Sequence, residues 1–235
     1  MNASRTARER VRAELISEIK DVARRHLAAE GAAGLSLRAV ARELGMVSSA
    51  IYRYFPSRDD LLTALIIEAF NAVGEAVETA DAACPRDRHL DRWMAACRAV
   101  RTWALAHPHE YALIHGSPVP GYVAPQDTAV AAARDAMVMT AILSDASASG
   151  TLTPRLTGLP PAPASFAPDA DRLREALQTA VPDDLMLAGL MAWTQIYGFI
   201  SFELFGMYNN VLDTPADAFD HTAMVQAHIL GFSPP

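Results

Sequence analysis

The segment from Leu35 to Leu62 constrains the fold of this chain more than any other stretch. Its first apolar residues recur at the spacing of one helix face, namely Leu37, Val40, Ala41 and Leu44. A second short helix is predicted from about Ser48 to Phe55, and it ends there because Pro56 disfavours helical angles in its predecessor. Gly45 lies between the two helices, where a helix end often takes a left-handed residue. Two helices joined by a short turn containing glycine form a helix-turn-helix unit.

Polar residues predict where the helices of this segment begin. Ser36 precedes the first helix and is expected to cap its free amide groups. Ser57 and Asp60 have the spacing of a capping box in which an acid takes the third helical position. The sequence therefore predicts a new helix directly after Pro56.

The same segment resembles the DNA-binding region of the TetR family of transcriptional regulators. The positions that carry the resemblance are Val40-Ala41, Gly45, Ser48-Ser49-Ala50, Ile51-Tyr52-Arg53-Tyr54-Phe55 and Ser57-Arg58. Two positions depart from the family pattern. Val47 stands where the family usually has a capping Ser or Thr, so Ser48 is expected to cap one residue later. Arg58 replaces the usual Lys, which keeps the charge but changes its geometry.

The resemblance implies a DNA-reading face. Residues at the start of the recognition helix normally reach base edges, whereas tyrosine hydroxyls and cations beside it contact phosphates. The predicted DNA-binding residues are Ser36, Arg38, Ser48, Ser49, Ala50, Tyr52, Arg53, Tyr54 and Arg58. Ile51 and Phe55 are expected in the core instead. The alternative is a helical hairpin that binds no DNA.

Charge is divided unevenly along the chain. Residues 1–60 carry 11 Lys and Arg against 8 Asp and Glu, whereas residues 61–235 carry 9 against 19. A basic N-terminal quarter can meet phosphates even though the net charge of the chain is −7. Four arginines form an N-terminal basic arm, namely Arg5, Arg8, Arg10 and Arg12. The arm is either a solvated tail or a contact to the DNA backbone, and both readings stay open.

Helical periodicity without strand-like alternation predicts an all-α fold of nine or ten helices. The first helix is predicted from Arg8 to Glu30, with a buried stripe formed by Val11, Leu15, Ile19, Val22 and Leu27. Later helices are predicted at about residues 57–79, 87–106, 110–115, 126–149, 171–180, 185–205 and 215–230, with a long Pro-rich loop over 150–168. We expect a three-helix helix-turn-helix domain over residues 1–56 and a helical ligand-binding and dimerisation domain over 57–235.

The helix from Leu185 to Phe205 is the most apolar segment of the chain and is long enough to invite a transmembrane interpretation. Its polar residues, among them Gln195 and Glu203, and the absence of basic flanks argue against that interpretation. A helix that is apolar nearly all round is otherwise buried in a core or a subunit interface. The resemblance implies that the last two helices pair two copies of the chain in a four-helix bundle.

Aromatic and methionine side chains on the C-terminal helices suggest a pocket for a small apolar molecule. The predicted ligand-binding residues are Met94, Trp103, Tyr111, Met137, Trp193 and Tyr197. The alternative is that these residues fill an ordinary core. Trp193 and Tyr197-Gly198 also resemble a Trp…His-Gly motif of one TetR branch, with Tyr in place of His.

No residue pattern predicts a metal, a cofactor or catalysis. The histidines show no helical His-Glu-x-x-His spacing, and Cys84 and Cys97 are expected to be reduced thiols. The chain also lacks a Gly-x-Ser-x-Gly elbow, a phosphate loop and a dinucleotide fingerprint.

The sequence thus predicts a cytoplasmic, homodimeric transcriptional regulator that binds a palindromic operator in double-stranded DNA. We expect a repressor that a small apolar ligand releases from DNA, with no membrane partner. Two alternatives remain. One is a DNA-binding regulator that a protein partner controls without a small ligand, and the other is an all-α enzyme with a vestigial DNA-binding domain.

Overall fold

The computed structural model describes residues 2–152 and 160–233, with side chains described from residue 6 onward. These residues form eleven α-helices and one 3-10 helix, and the described part of the chain contains no β-strand. The α-helices are α1 Asn2–Gly34, α2 Leu37–Glu43, α3 Ser48–Ile51, α4 Arg58–Ala82, α5 His89–Ala106, α6 Pro108–His115, α7 Asp127–Ala132, α8 Arg134–Ala148, α9 Ala167–Leu177, α10 Asp183–Leu204 and α11 Pro215–Leu230. The predicted all-α class is confirmed. The side chain of Arg5 and residues 153–159 of the predicted Pro-rich loop lie outside the described residues.

The chain divides into two compact units, and the boundary falls inside α4 between Ala69 and Phe70. The first unit comprises Met1–Ala69 and His107–Ala129, and the second comprises Phe70–Ala106 and Val130–Pro235. The helix-turn-helix segment therefore shares its compact unit with the first half of α4 and with α6. We retain residues 1–56 as the proposed DNA-binding domain within this larger unit.

The first unit is built around α1, which packs against α2 and α6. Ile19, Val22 and Leu27 of the predicted stripe are buried at 5% exposure or less, whereas Leu15 is only half-buried. Val11 was expected in the stripe but is 55% exposed. At that end of α1 its neighbours line an open depression, so no packed layer covers the side chain.

The first helix is longer than predicted at both ends. It extends back to Asn2 and forward to Gly34, although Gly31 interrupts it with φ 70° and ψ 177°. This left-handed φ is reached without strain because glycine has no Cβ. The predicted helix end at Glu30 therefore coincides with this interruption, and a few more helical residues follow Gly31.

The side-chain cap predicted at Ser57 is present at the start of α4, although Asp60 accepts from the Ser57 hydroxyl and not from its amide as in a full capping box. The amide of Asp60 donates to Ser57 Oγ at 3.1 Å, and Ser57 Oγ donates to Asp60 Oδ2 at 2.6 Å. Such a cap contributes about 0.5–2 kcal/mol to stability. It sets the first residue of the helix that carries the boundary between the two units.

The core of the second unit is formed by α5, α8, α10 and α11. Trp93 on α5 donates from Nε1 to the carbonyl oxygen of Ala223 on α11 at 3.1 Å. Arg92 is 1% exposed, and it donates from Nε to Asp81 and from Nη1 to Asp145, both at 2.7 Å. Since a buried charge is tolerated only when it is paired, this network fixes the ends of α4, α5 and α8.

Three helix boundaries in the second unit differ from the predictions. The helix predicted over 126–149 is two helices, α7 and α8, and the break at Ala133 coincides with long-range bonds of Arg134. The helix predicted over 171–180 lies at 167–177 and ends at Gln178, which has φ 50°. The predicted loop is correspondingly shorter, since a 3-10 helix covers Ala164–Phe166.

Among the described helices, α10 is the one whose length and apolar composition suffice for a membrane crossing. Of its most apolar window of 18 residues, 44% is buried within the protein. Because core helices of soluble proteins satisfy the same criterion, this property gives only weak support for membrane insertion.

Candidate functional site

The turn between α2 and α3 determines where α3 lies. Gly45 has φ 66°. The amide of Met46 donates to the carbonyl oxygen of Ala41 at 2.8 Å, and the amide of Gly45 donates to the carbonyl oxygen of Arg42 at 3.1 Å. These two bonds form a Schellman motif, which requires a left-handed residue after the helix. A Cβ at position 45 would meet nothing within 4 Å, so glycine is needed for its backbone angle. The predicted role of Gly45 is confirmed.

The side-chain caps predicted for α2 and α3 are wrong. Ser36 occupies the N-cap position of α2, but its side chain makes no capping hydrogen bond. Val47 is the N-cap residue of α3, and Ser48 is already helical, so Ser48 does not cap. The hydroxyls of Ser48 and Ser49 make no hydrogen bond to any described residue. Both groups are therefore available to an external partner.

The predicted base-reading residues lie on the outer side of α3, which packs against α2. Ser48 and Ser49 are exposed, and Ala50 is half-buried. Ile51 is fully buried and Phe55 is 6% exposed, as predicted. The buried residues thus anchor the recognition segment in the core, and the first turn of α3 faces solvent.

The recognition helix is shorter than predicted. It is α-helical only from Ser48 to Ile51, and a turn follows in which Arg53 and Tyr54 donate to carbonyls three residues back. Tyr52 is 42% exposed and Arg53 is exposed, so the predicted phosphate contact and the predicted base or phosphate contact both face solvent. Tyr54 is half-buried.

The basic arm reaches the end of the recognition segment through Arg12. Its Nη2 donates to the carbonyl oxygen of Arg53 at 3.2 Å, and its guanidinium lies 5.2 Å from the ring centroid of Tyr54. Arg12 and Tyr54 line an open depression of about 450 Å³ together with Ala7, Arg8 and Val11. Arg8 and Arg12 place two guanidinium groups beside one depression, which suits a phosphate, and both readings of the arm stay open.

Arg58 is bonded to the chain itself. Its Nε donates to the carbonyl of Leu35 at 3.1 Å, and its Nη2 donates to that of Ala32 at 2.6 Å. The side chain also pairs with Asp59 at 3.3 Å. Arg58 thus ties the start of α4 to the junction of α1 and α2. Its predicted role as a phosphate contact stays a prediction.

Local pairing neutralises several acids of the first unit. Glu43 accepts from Arg25 and His26, and the hydrogen bond from Arg25, followed by that from His26, holds the pKa of the Glu43 carboxyl below its ordinary value. Glu68 pairs with Lys20 and Arg24. These acids oppose the approach of a phosphate less than free carboxylates would.

Three cations near α3 remain unpaired with described acids, namely Arg38, Arg42 and Arg53. Arg38 and Arg42 are both exposed and lie four residues apart on α2, so they share one face of that helix. The sequence prediction missed Arg42 and gave Arg12 no specific role. The spacing of Arg42 from Arg38 was a usable signal, whereas the contact of Arg12 with Tyr54 depends on the fold.

Five of the six predicted ligand-binding residues belong to the second unit. Met94, Trp103 and Tyr197 are buried in the second unit at 7% exposure or less, and Trp193 is half-buried there. Tyr111 is fully buried but belongs to the first unit. Met137 is 36% exposed, and Met139 instead lies on the buried face of α8. The rings of Trp193 and Tyr197 pair directly, with their centroids 4.8 Å apart.

A carboxylate that the sequence prediction did not include lies beside this aromatic pair. Asp135 is 4% exposed, and its Oδ2 accepts from Trp193 Nε1 at 3.3 Å and from the hydroxyl of Tyr197. Asp135 stands in helical register with buried Met139 and Ile142. An acid on an apolar stripe was the signal in the sequence. No cluster of three potential metal ligands occurs among the described side chains.

Two family models match the chain. Residues 19–65 match the model described as "Bacterial regulatory proteins, tetR family", and residues 93–225 match "Tetracyclin repressor-like, C-terminal domain". The chain is 41% identical over 222 residues to the HTH-type transcriptional regulators Rv1816 of Mycobacterium tuberculosis and Mb1846 of Mycobacterium bovis. These alignments cover 92% of this chain and 90% of each relative.

Solved structures show the same architecture. A crystal structure of the regulatory protein SCO4313 has a TM-score of 0.75 and 32% identity, and the match covers 94% of this chain and 98% of that one. A tetR-family regulatory protein from Rhodococcus RHA1 has a TM-score of 0.63 at 18% identity, with 93% and 98% covered, and this likeness concerns the fold alone.

The helix-turn-helix, its exposed basic face and these matches define a DNA-binding transcriptional regulator. The chain belongs to the TetR family. This is a family of transcriptional regulators and not of enzymes, which agrees with the sequence prediction.

Proposed function

We propose that two copies of this chain bind a palindromic operator in double-stranded DNA and repress transcription in the cytoplasm. A small molecule bound by the C-terminal helices of the chain releases the operator. The observation that carries the DNA-binding part is the outer surface of α3, where Ser48 and Ser49 are exposed and uncommitted. A helix supported in this way can enter a major groove and read base edges.

Each side chain of this surface is assigned a role by its position. Ser48, Ser49 and Ala50 face the bases, because they form the first turn of the recognition helix. Tyr52, Arg53 and the pair Arg12 and Tyr54 hold phosphates at the far end. Ser36 and Arg38 do so at the start of α2, where free amides also favour an anion. These assignments distinguish phosphate contacts, which position the protein on the DNA, from base contacts, which recognise its sequence.

An apolar surface on the last two helices supports the dimer. Large apolar side chains there are exposed by at least 36%, namely Leu190, Met191, Phe202, Val225 and Ile229. α10 packs against α11, so the two helices offer a joint surface. Gly198 is also exposed, and a Cβ there would meet nothing within 4 Å. Exposed apolar side chains of this number mark an interaction site, and a two-fold pairing of α10 and α11 would bury them.

Release by a ligand requires that the ligand bind one conformation of the dimer better than another. The proposed states differ in the distance between the two recognition helices, which must match half-sites about 34–36 Å apart. A ligand that prefers the mismatched state weakens operator binding by its coupling free energy, commonly about 1–3 kcal/mol.

Selection of bound duplexes from random DNA, followed by footprinting, tests the DNA-binding part of the proposal. We expect a palindrome that is protected on both half-sites by a dimer. Protection of a single asymmetric half-site by a monomer would contradict it. Thermal denaturation against a library of small molecules tests the ligand, since any compound that binds only the folded state raises its stability. If no compound does so but a protein partner releases the DNA, control lies with that partner.

A further inference from the structure

Asp135 is a buried acid that the DNA-binding function does not use. It lies in the first turn of α8 and is 4% exposed. Two neutral donors of α10, Trp193 Nε1 and the hydroxyl of Tyr197, both reach the same oxygen, Oδ2. No hydrogen bond from a described residue reaches the other oxygen, Oδ1.

No described Lys, Arg or His forms an ion pair with Asp135. The cation next to it, Arg134, is engaged on the other side by Glu78 and Asn71. A carboxylate that has lost its water is costly unless a positive charge compensates it. Two neutral donors and the first turn of α8 stabilise the Asp135 carboxylate, but no cation from the described residues pairs with it.

Two partly buried acids of the same unit show what a structural pairing looks like. Asp81 is bound by Arg92, and Glu203 is bound by Arg101, with both carboxylates 13% exposed. A purely structural link between α8 and α10 would need only a neutral acceptor for the Trp and Tyr donors. A carboxylate at this position is therefore better explained by recognition of an external cation than by the link alone.

The neighbouring rings suit an organic cation. The centroids of Trp193 and Tyr197 lie 4.8 Å apart, and the ring planes are inclined by 40°. Trp193 is half-buried, so part of its indole is accessible from solvent. The faces of Trp and Tyr attract cations, most strongly where water is excluded. The C-terminal part of the chain is also acidic, with 19 Asp and Glu against 9 Lys and Arg over residues 61–235, which favours the approach of a cation.

We propose that Asp135, Trp193 and Tyr197 form the charge-recognising end of the effector site, and that the effector is an organic cation, an amine or quaternary ammonium with an apolar body. This inference rests on the proposed control by a small ligand and names the class of that ligand. It adds a positive charge to the small apolar effector expected from the sequence. The ammonium group contacts the carboxylate and the ring faces, and the apolar body extends from them.

Calorimetric titration of the full-length protein with a matched pair of probes tests the proposal. The probes are benzyltrimethylammonium and neopentylbenzene, in which carbon replaces the charged nitrogen. We expect the wild-type protein to bind the cation about tenfold or more tightly than the neutral compound. Asp135→Asn keeps an acceptor for both donors and should reduce this preference to about twofold or less. Trp193→Phe should lower the preference for the cation, although the Asp135 carboxylate remains.

Asp145→Asn is the matched control, because it removes one negative charge from the same helix at a site paired with Arg92. It should keep the full preference. Circular dichroism melting of each variant verifies folding, and the ratio of the two affinities does not depend on the fraction folded. Equal affinities in the wild-type protein, a full preference in Asp135→Asn, or no saturable cation binding up to millimolar concentration would overturn the proposal.

Operator affinity measured on the same samples distinguishes failure of the proposed cationic ligand class from failure of the proposed ligand control. If the neutral probe binds and weakens operator binding while the cation does not, ligand control stands and the cationic class is wrong. If neither probe binds, the cation site is withdrawn, and the operator affinity still decides whether the protein binds DNA.

Discussion

Arg134 and Asp135 are neighbours in the chain, yet their side chains bond to different helices. Arg134 donates to both carboxylate oxygens of Glu78 on α4, at 2.8 and 2.7 Å, whereas Asp135 accepts from Trp193 and Tyr197 on α10. The start of α8 is therefore attached on two sides. Because α4 begins directly after the helix-turn-helix segment, a shift at the proposed effector site has a covalent route towards the DNA-binding residues.

Replacement of Arg134 by Met should uncouple the effector from DNA. The variant keeps Asp135 and its aromatic partners, so the binding of benzyltrimethylammonium should be retained. Its operator affinity without ligand should change little. The reduction of operator affinity at saturating ligand should shrink by most of a coupling free energy of about 1–3 kcal/mol.

Fluorescence anisotropy of labelled operator, with and without ligand, measures this coupling. Arg98→Met is the control, since Arg98 pairs with Asp220 and makes no bond to α4 in the described structure. Unchanged coupling in Arg134→Met would show that the signal does not pass through this residue.

Local signals were sufficient to predict some elements of the fold. Pro215 at the first turn and Gly231 with φ 96° after the last residue delimit α11, which was predicted at its observed bounds. Gly45 and the Ser57 cap were likewise predicted, because each acts on residues a few positions away. The break between α7 and α8 has no such signal. It coincides with bonds from Arg134 to residues 56 and 63 positions away.

The candidate sites show the same dependence on distance in sequence. The exposed side of α3 follows from the burial of Ile51 and Phe55, which helical periodicity indicates. The partners of Asp135 lie 58 and 62 residues away, so its environment was not predictable from one sequence. Sequence reasoning found both aromatic residues but not the acid that joins them.

Stability should fall at low pH through Asp81. Burial alone raises the pKa of the Asp81 carboxyl, but hydrogen bonds from Arg92 and Arg86 outweigh it and hold the pKa below its ordinary value of 3.8. A depressed pKa means that the folded state binds fewer protons than the unfolded state. The stabilisation is therefore complete above the unfolded pKa and is lost as pH falls through the folded one.

Urea denaturation at about pH 7, 5 and 3 measures this effect. The decrease in free energy of unfolding between about pH 5 and pH 3 should be smaller in Asp81→Asn than in the wild-type protein. Arg92→Met should also lower the free energy of unfolding at neutral pH, by about 1.5–3 kcal/mol, because it removes charged hydrogen bonds to Asp145 and to Asp81, which keeps Arg86 as a partner. An identical pH dependence in wild-type and Asp81→Asn proteins would assign the acid sensitivity to other groups.

Phe202→Glu should dissociate the proposed dimer. Phe202 is 53% exposed on α10, and a two-fold interface would bring the two introduced carboxylates into one apolar surface. Light scattering coupled to size exclusion should report the mass of a monomer, and operator affinity should fall. Val130→Glu is the matched control, because Val130 is 78% exposed and lies on α7. If both variants remain dimeric and folded by circular dichroism, the interface lies elsewhere.

Arg58→Lys should lower stability although it preserves charge. A lysine cannot reproduce the two separate donations to the carbonyls of Ala32 and Leu35. Loss of one to two charge-assisted hydrogen bonds is worth about 1.5–4 kcal/mol. Urea denaturation should show the loss in both Arg58→Lys and Arg58→Ala. Wild-type stability of either variant would favour a role for Arg58 only in DNA binding.

The two ends of the recognition segment should respond differently to mutation. Arg12→Ala removes a cation held against Tyr54, so it should weaken binding to all duplexes by a similar factor. The slope of log affinity against log salt should become shallower by about 0.9, the value for one phosphate contact. Ser49→Ala should instead change the preference among operator variants by about 1–3 kcal/mol, since a base contact carries sequence information. Titrations against the operator, a point-mutated operator and a random duplex at several salt concentrations distinguish the two effects.

Arg10→Ala is the control for Arg12, because Arg10 is also an exposed arginine of the arm but does not line the depression beside Tyr54. A change of base preference in Arg12→Ala, together with a uniform loss in Ser49→Ala, would mean that the opposite end of the segment faces the bases.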